Sequence, residues 1–86
     1  MELDPDEMQT VVKRLRRAQG QIGGVLKMID EGRDCQDIVT QLAAVSKALD
    51  RAGFAVIALG LRQCIADPEG HEMDVETMEK LFLSLA

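Results

Sequence analysis

Two cysteines are the residues of this 86-residue chain best suited to reactive chemistry. Cys35 and Cys64 are 29 positions apart, which on one continuous α-helix separates them by about 43 Å. The same separation is about 20° beyond eight full turns, so both side chains point to nearly the same face. If this helix packs antiparallel against its copy about a dyad between Leu49 and Asp50, Cys35 of one subunit faces Cys64 of the other. The spacing therefore predicts a thiol pair between subunits, with two small buried apolar side chains as the alternative.

The two thiols differ in their expected reactivity. Cys35 falls in the first turn of a predicted helix, where the helix dipole favours a nucleophilic thiolate, although Asp34 and Asp37 oppose it. Cys64 falls at the opposite end, where the dipole disfavours a thiolate, and so suits a resolving thiol. His71, the single histidine, falls in an acidic loop and is expected to be solvated. Because the thiols lack an acid or base partner, we predict no enzyme, and a thiol enzyme remains a less favoured alternative.

Positive charge is concentrated in the middle of an acidic chain. The net charge is −5, yet residues 8–65 hold nine basic and five acidic residues, a net of +4, between acidic segments at 1–7 and 66–86. This pattern predicts a positive surface suited to nucleic-acid phosphates, with a solvated helix face as the alternative. Two Phe and no Trp or Tyr argue against stacking on single-stranded bases. The basic residues of this surface are Lys13, Arg14, Arg16, Arg17, Lys27, Lys47, Arg51 and Arg62.

Apolar residues repeat at the alternating steps of three and four that form a coiled-coil seam. One seam predicts a helix from an Asp4 cap to Gly32, and a second predicts a helix from an Asp34 cap to about Ile65. A short amphipathic helix follows over residues 74–85. The first seam consists of Met8, Val11, Leu15, Ala18, Ile22, Val25 and Ile29. The second consists of Cys35, Ile38, Leu42, Val45, Leu49, Ala52, Val56 and Leu59.

These seams predict more than one subunit. At about 40 and 48 Å, the two long helices exceed the width of a compact domain of this size, and one hairpin cannot cover its own seams. We therefore predict an all-α, three-helix protomer that forms an antiparallel four-helix-bundle dimer. Gly53 and Gly60 interrupt the second seam and are expected to permit close packing.

Length and composition place the chain in a broad class. Its 86 residues, 47% hydrophobic and 29% charged, predict one domain over residues 1–86 with an acidic N-terminal tail at 1–7. No apolar run approaches the roughly 20 residues of a membrane span, and the acidic start does not resemble a signal peptide. We therefore expect a cytoplasmic protein with no membrane contact and no cofactor. A purely structural bundle or adaptor would explain the seams but not the basic middle or the cysteine spacing.

A set of motifs connects the basic middle with the cysteines. The stretch RLRRAQGQIGGVLKMI at 14–29 is followed by Cys35, by DIVTQ at 37–41 and by Cys64. This combination resembles the copper-sensitive operon repressor family, CsoR/RcnR. The resemblance implies all-α protomers in a dimer of dimers, a homotetramer that binds double-stranded operator DNA without a helix-turn-helix. It also implies that DNA is released when an inducer occupies the cysteine site between subunits.

The resemblance assigns DNA contacts to particular residues. By position, Arg14 and Arg51 match basic residues that the family uses on DNA. Lys13, Arg16 and Arg17 are expected to add phosphate contacts.

One position separates the branches of this family. Copper sensors place a His four residues before the second cysteine, where this chain has Gly60, so Cu(I) would retain only two thiolates. The chain is more similar to the persulfide-sensing branch, that of the CsoR-like sulfurtransferase repressor, which lacks this His and keeps both cysteines. The nickel and cobalt branch needs N-terminal histidines, and the formaldehyde branch has a proline where this chain has Glu2. We predict a repressor in which Cys35 attacks a persulfide or polysulfide and Cys64 of the neighbouring subunit resolves it. Cu(I) sensing by the same thiols is the alternative.

Overall fold

Helices make up nearly all of the chain that the computed structural model describes, which is residues 2–66 and 75–86 without the side chain of Cys64. No strand occurs among these residues, and the predicted all-α, three-helix protomer is confirmed. None of the helices in this part of the chain combines the length and the apolar composition needed to cross a membrane. His71 and Asp74 lie outside the described residues. The helices are α1 (Gln9–Asp30), α2 (Cys35–Ala66) and α3 (Val75–Leu85).

The turn between α1 and α2 is built around Gly32. Its φ of 68° lies in the left-handed region, which glycine adopts without steric cost. The N–H of Gly32 donates to the Ile29 carbonyl at 3.1 Å, and the N–H of Arg33 donates to the Met28 carbonyl at 2.9 Å. These two bonds satisfy the last carbonyls of α1 in a Schellman motif. Because the chain reverses within a few residues, α2 packs antiparallel against α1.

The second helix begins at the predicted aspartate cap. A carboxylate oxygen of Asp34 accepts the Gln36 N–H at 3.3 Å, which satisfies one of the unpaired donors of the first turn. From Cys35 the helix runs without interruption for 32 residues, about 48 Å. Cys35 and Cys64 therefore lie near its two ends and cannot pair within one chain.

The first helix begins later than the sequence predicts, at Gln9 rather than directly after Asp4. Asp4 still caps a turn, because its carboxylate accepts the Asp6 N–H at 2.9 Å. The helical hydrogen-bond pattern breaks at Gln9. Its backbone N–H donates to the Asp6 carbonyl, three residues back, and its side-chain Nε2 donates to the Pro5 carbonyl. Hydrogen bonds from the Gln63 side chain also hold the backbone before this turn. As a result α1 has 22 residues and is about 33 Å long, not 40 Å.

The third helix packs against α2 through a glycine. A Cβ added at Gly53 would lie 2.6 Å from Leu85 Cδ1. Leu85 can therefore approach α2 this closely only because glycine has no side chain. Beside this contact, the rings of Phe54 and Phe82 lie with centroids 5.1 Å apart and tilted by 46°. Gly53 thus permits the close packing expected of it.

The protomer is one helix layer thick. Its dimensions are 55 × 25 × 12 Å, and the smallest equals the diameter of a single α-helix with its side chains. A single layer has no second layer above its seams. Apolar side chains therefore remain accessible along its length.

Each long helix buries only alternate members of its seam. The buried side chains recur every seven residues. The members between them are exposed, Leu15 and Leu49 each by 44%, except Val56, which is half-buried. Pairing of α1 with α2 thus covers one half of each seam and leaves an uncovered apolar face. The buried members are Val11, Ala18 and Val25 in α1 and Val45, Ala52 and Leu59 in α2. The uncovered apolar face comprises Leu15, Ile22, Leu26 and Ile29 of α1 with Val39, Leu42 and Leu49 of α2.

Candidate functional site

A groove of about 260 Å³ between α1 and α2 collects basic side chains; we call it the basic groove. Its residues recur at steps of three and four along each helix, which brings them onto one side of the hairpin. A neighbouring recess continues the positive surface toward the start of α1 through Thr10 and Lys13. The basic groove is lined by Arg14, Arg17 and Gln21 of α1 and by Ala44, Lys47, Ala48 and Arg51 of α2.

Four cations of the basic groove have no carboxylate partner among the described residues. Arg14, Arg17, Lys47 and Arg51 are all exposed. Like charges that line one groove repel one another, so binding of a polyanion there would be favourable because it would reduce this repulsion. The ion pairs formed by basic residues in the described part of the chain are Lys27–Glu31, Arg33–Asp37 and Lys80–Glu76.

The basic groove and the uncovered apolar face lie on opposite sides of the layer. Arg17 follows Leu15 by two residues, and two residues rotate by about 200° around an α-helix. Lys47 and Arg51 each lie two residues from Leu49, with the same consequence on α2. The protomer therefore presents cations on one side and apolar side chains on the other.

The structure groups only some of the predicted DNA contacts. Arg14, Arg17 and Arg51 meet in the basic groove, and Lys13 lies in the adjoining recess. Arg16 is exposed on another side of α1 and lines neither. Lys47, which the sequence placed on the positive surface but not among the DNA contacts, does line the groove. Its spacing of four residues from Arg51 is the signal by which the sequence could have assigned it to the same side of α2.

Gln21 is a groove residue that the sequence analysis did not identify. Its Oε1 atom is buried and has no hydrogen-bond partner within residues 2–66 and 75–86. A buried amide oxygen without a donor costs free energy, which a bound donor would recover. No local pattern marks Gln21, because its burial arises only when α2 packs against α1.

Cys35 is the first residue of α2, and its thiol is free and exposed. Of the two acids beside it, Asp37 pairs with Arg33 at 3.2 Å. The surroundings of the thiol are therefore less negative than the sequence indicates. The side chain of Cys64 lies outside the described residues, so its pairing with Cys35 of a second subunit stays a prediction. Within the described residues, no three His, Cys, Asp or Glu side chains gather as a metal site.

A family model described as metal-sensitive transcriptional repressor matches residues 7–84. The chain belongs to this family. The likeness to metal-sensitive repressors extends to the tertiary structure, because the nickel-responsive transcriptional regulator InrS matches it with a TM-score of 0.69. That match is 29% identical and covers 99% of this chain and 92% of the other. The family predicted from the motifs is thus confirmed.

Several curated proteins resemble this member of the family. The copper-sensing transcriptional repressor RicR of Mycobacterium tuberculosis is 40% identical over 53 residues, 62% of this chain and 55% of RicR. The copper-sensing transcriptional repressor CsoR of Bacillus subtilis is 31% identical over 61 residues, 71% of this chain and 60% of CsoR. The uncharacterized protein YrkD of Bacillus subtilis is 34% identical over 67% of this chain and 92% of YrkD. The chain thus spans little more than half the length of the two copper sensors.

Proposed function

We propose that this chain is a transcriptional repressor that binds operator DNA through the basic groove and releases it when a persulfide or polysulfide modifies its thiols. The observation that carries the DNA-binding part is the set of four cations that line one groove and have no carboxylate partner within residues 2–66 and 75–86. Membership of a transcriptional repressor family supports the same function. The protein acts in the cytoplasm in this proposal, where the thiols remain reduced until an inducer arrives.

The groove suits the DNA backbone better than base edges. Its cations project from a layer of two antiparallel helices, and no aromatic side chain lines it. Two subunits would bring about eight such cations to the duplex. With this many phosphate contacts, affinity is expected to fall by roughly 10³ to 10⁵ between 50 and 200 mM salt. A steep salt dependence is therefore part of the proposal.

The uncovered apolar face supports assembly into an antiparallel four-helix-bundle dimer. Its side chains continue the seams whose other halves are buried within the hairpin. A second hairpin laid against this face would complete both seams with knobs-into-holes packing. The basic grooves would then lie on the outside of the bundle, free to meet DNA. Two dimers would form the homotetramer that the family resemblance implies.

The inducer step needs a nucleophile and a resolving thiol. The Cys35 thiolate attacks the sulfane sulfur of R–S–S–H, a new S–S bond forms, and RS⁻ leaves. The thiolate of Cys64 of the partner subunit then attacks Cys35 Sγ, and HS⁻ leaves the resulting disulfide. Two thiolates are oxidised while the sulfane sulfur is reduced to sulfide, so no further oxidant is needed. The covalent bridge would hold the subunits in a state that binds DNA weakly.

Cu(I) is the second candidate inducer, because two relatives are named copper-sensing. Cys35 and Cys64 of the partner subunit would supply two soft thiolate ligands, which suit Cu(I). Gly60 of α2 has no side chain to offer as a third ligand. Copper binding would therefore be limited to the two sulfur atoms.

Gel shifts on the protein's own promoter test both inducers. Polysulfide should release wild-type protein and produce a covalent dimer that dithiothreitol reverses. Cys35→Ser should stay bound under the same treatment, whereas Cys64→Ser should accept a persulfide without bridging. Release by stoichiometric Cu(I) under anaerobic conditions, with polysulfide inactive, would establish the copper alternative. Absence of any promoter shift would refute the repressor itself.

A further inference from the structure

The side chain of Gln63 fastens the beginning of the chain to the end of α2. Its Oε1 accepts the Asp4 N–H at 3.0 Å, and its Nε2 donates to the Glu2 carbonyl at 3.0 Å. The side-chain amide thus meets one backbone acceptor and one backbone donor, as a neighbouring strand would. Both bonds join residues about sixty positions apart. Nothing in the basic groove or in the thiol chemistry accounts for them.

The fastened segment is strongly acidic and lies next to the basic groove along the chain. Residues 2–7, which we call the acidic segment, carry four carboxylates and no basic group. α1 begins two residues later, and its first half supplies Lys13, Arg14 and Arg17. Opposite charges are therefore held apart within one short stretch of chain.

Released from Gln63, the acidic segment would reach the groove. Six extended residues span about 20 Å, whereas Arg14 lies about 9 Å along α1 from Met8. Carboxylates freed to move over this distance would occupy the cations that DNA phosphates need. Gln63 is half-buried, but both of its hydrogen bonds are exposed to solvent, so they compete with water and open more readily than those of the helix core.

We propose that the Gln63 side chain is a latch that holds the acidic segment off the basic groove, and that modification of the next residue, Cys64, opens it. The inference rests on the proposed function, in which the groove binds DNA and Cys64 reacts. An opened latch lets the acidic segment compete with DNA for Arg14 and Arg17. A reaction at Cys64, near the end of α2, would thereby weaken DNA binding at the groove through the carboxylates of the same chain.

Gln63→Leu opens the latch without chemistry, and Gln36→Leu is its matched control at the other end of α2. In Gln63→Leu the side-chain Nε–H resonances of Arg14 and Arg17 should shift, and promoter affinity should fall by about threefold or more at 0.1 M salt. Adding Glu2→Gln, Asp6→Asn and Glu7→Gln neutralises three of the four carboxylates and should return both readouts toward wild type. Asp4 is left unchanged because its carboxylate caps the turn. Gln36→Leu should match wild type. Circular dichroism establishes that each variant folds.

Opening of the latch by modification of Cys64 is tested on Cys35→Ser protein with methyl methanethiosulfonate. This reagent transfers CH₃S to the Cys64 thiolate, and methanesulfinate leaves. The arginine resonances should shift as they do in Gln63→Leu, and Cys64→Ser treated in the same way should show no shift. Unshifted resonances in Gln63→Leu, no rescue by charge neutralisation, or unshifted resonances after modification of Cys64 would each overturn the latch. If the wild-type protein fails to bind its promoter, the proposed function falls, while the resonances still decide the latch.

Discussion

At the scale of single residues, the structure separates basic side chains that the sequence could not rank. Arg16 and Arg17 are adjacent and chemically identical, yet only Arg17 lines the basic groove. Lys47 joins it because α2 presents every third or fourth residue to the same side. Gln21 adds a buried oxygen that lacks a donor. Whether a basic residue lines the groove therefore depends on the direction in which its side chain points as well as on its charge.

Alanine substitutions in the groove should weaken DNA binding according to this direction. Arg14→Ala, Arg17→Ala, Lys47→Ala and Arg51→Ala should each lower promoter affinity and make the salt slope shallower by about one unit for each phosphate no longer neutralised. Arg16→Ala is the matched control, and its slope should stay near that of wild type. Fluorescence anisotropy at several salt concentrations measures both quantities. Equal effects of Arg16→Ala and Arg17→Ala would remove the groove as the DNA-binding site.

At the scale of elements, α3 is positioned by shape rather than by charge. Leu85 lies where a side chain at residue 53 would be, and the two phenylalanine rings close the same junction. Met78 is the buried residue of α3, while much of its remaining apolar surface is exposed. The position of α3 therefore depends on a few contacts with the second half of α2.

Gly53→Ala should displace α3 without unfolding the hairpin. The new methyl group would overlap Leu85, although alanine also gains up to about 1 kcal/mol of helix propensity, so the free energy of unfolding should change by less than about 1 kcal/mol. The NMR signals of the Phe54 and Phe82 rings should shift as their contact changes. The double variant Gly53→Ala/Leu85→Ala removes the overlap and should restore the ring signals. Unchanged rings in the single variant would show that α2 and α3 adjust without moving apart.

At the scale of the whole molecule, one thin layer carries two different surfaces. The uncovered apolar face and the basic groove are separated by the helices themselves. In the proposed dimer, assembly through the apolar face would therefore leave the cations accessible, and DNA bound across two subunits would in turn favour assembly. Loss of the dimer should accordingly weaken DNA binding even with the groove intact.

Leu49→Glu should convert the proposed dimer to monomers. The substitution places a charge in the middle of the uncovered apolar face and removes the burial of a leucine, about 2 kcal/mol for each subunit. Leu83→Glu, on an exposed residue of α3, is the control and should retain the wild-type mass. Light scattering at micromolar concentration reports the masses. A wild-type protein that is already a well-folded monomer would contradict the dimer and the pairing of thiols between subunits.

Local patterns determined the helices and the family of this protein. Steps of three and four along the chain identified the seams, because that spacing alone places side chains on one helical face. Asp34 and Gly32 marked the boundary between α1 and α2, because a cap and a left-handed residue act on neighbours within a few positions. The motifs around Arg14 and Cys35 identified the family for the same reason, since they lie within short stretches.

Tertiary structure decided what depends on residues far apart in the chain. The seam pattern could not show which half α2 would bury, because Val11 and Leu15 are equally suited to a helix interface, and only packing left Leu15 exposed. The sequence predicted that α1 starts at the Asp4 cap, whereas in the structure it starts at Gln9. The backbone before it is hydrogen-bonded to Gln63, about sixty positions away in the chain. Groove membership followed the direction of each side chain after the hairpin closed. These outcomes depend on the relative placement of whole helices, and no local pattern encodes that placement.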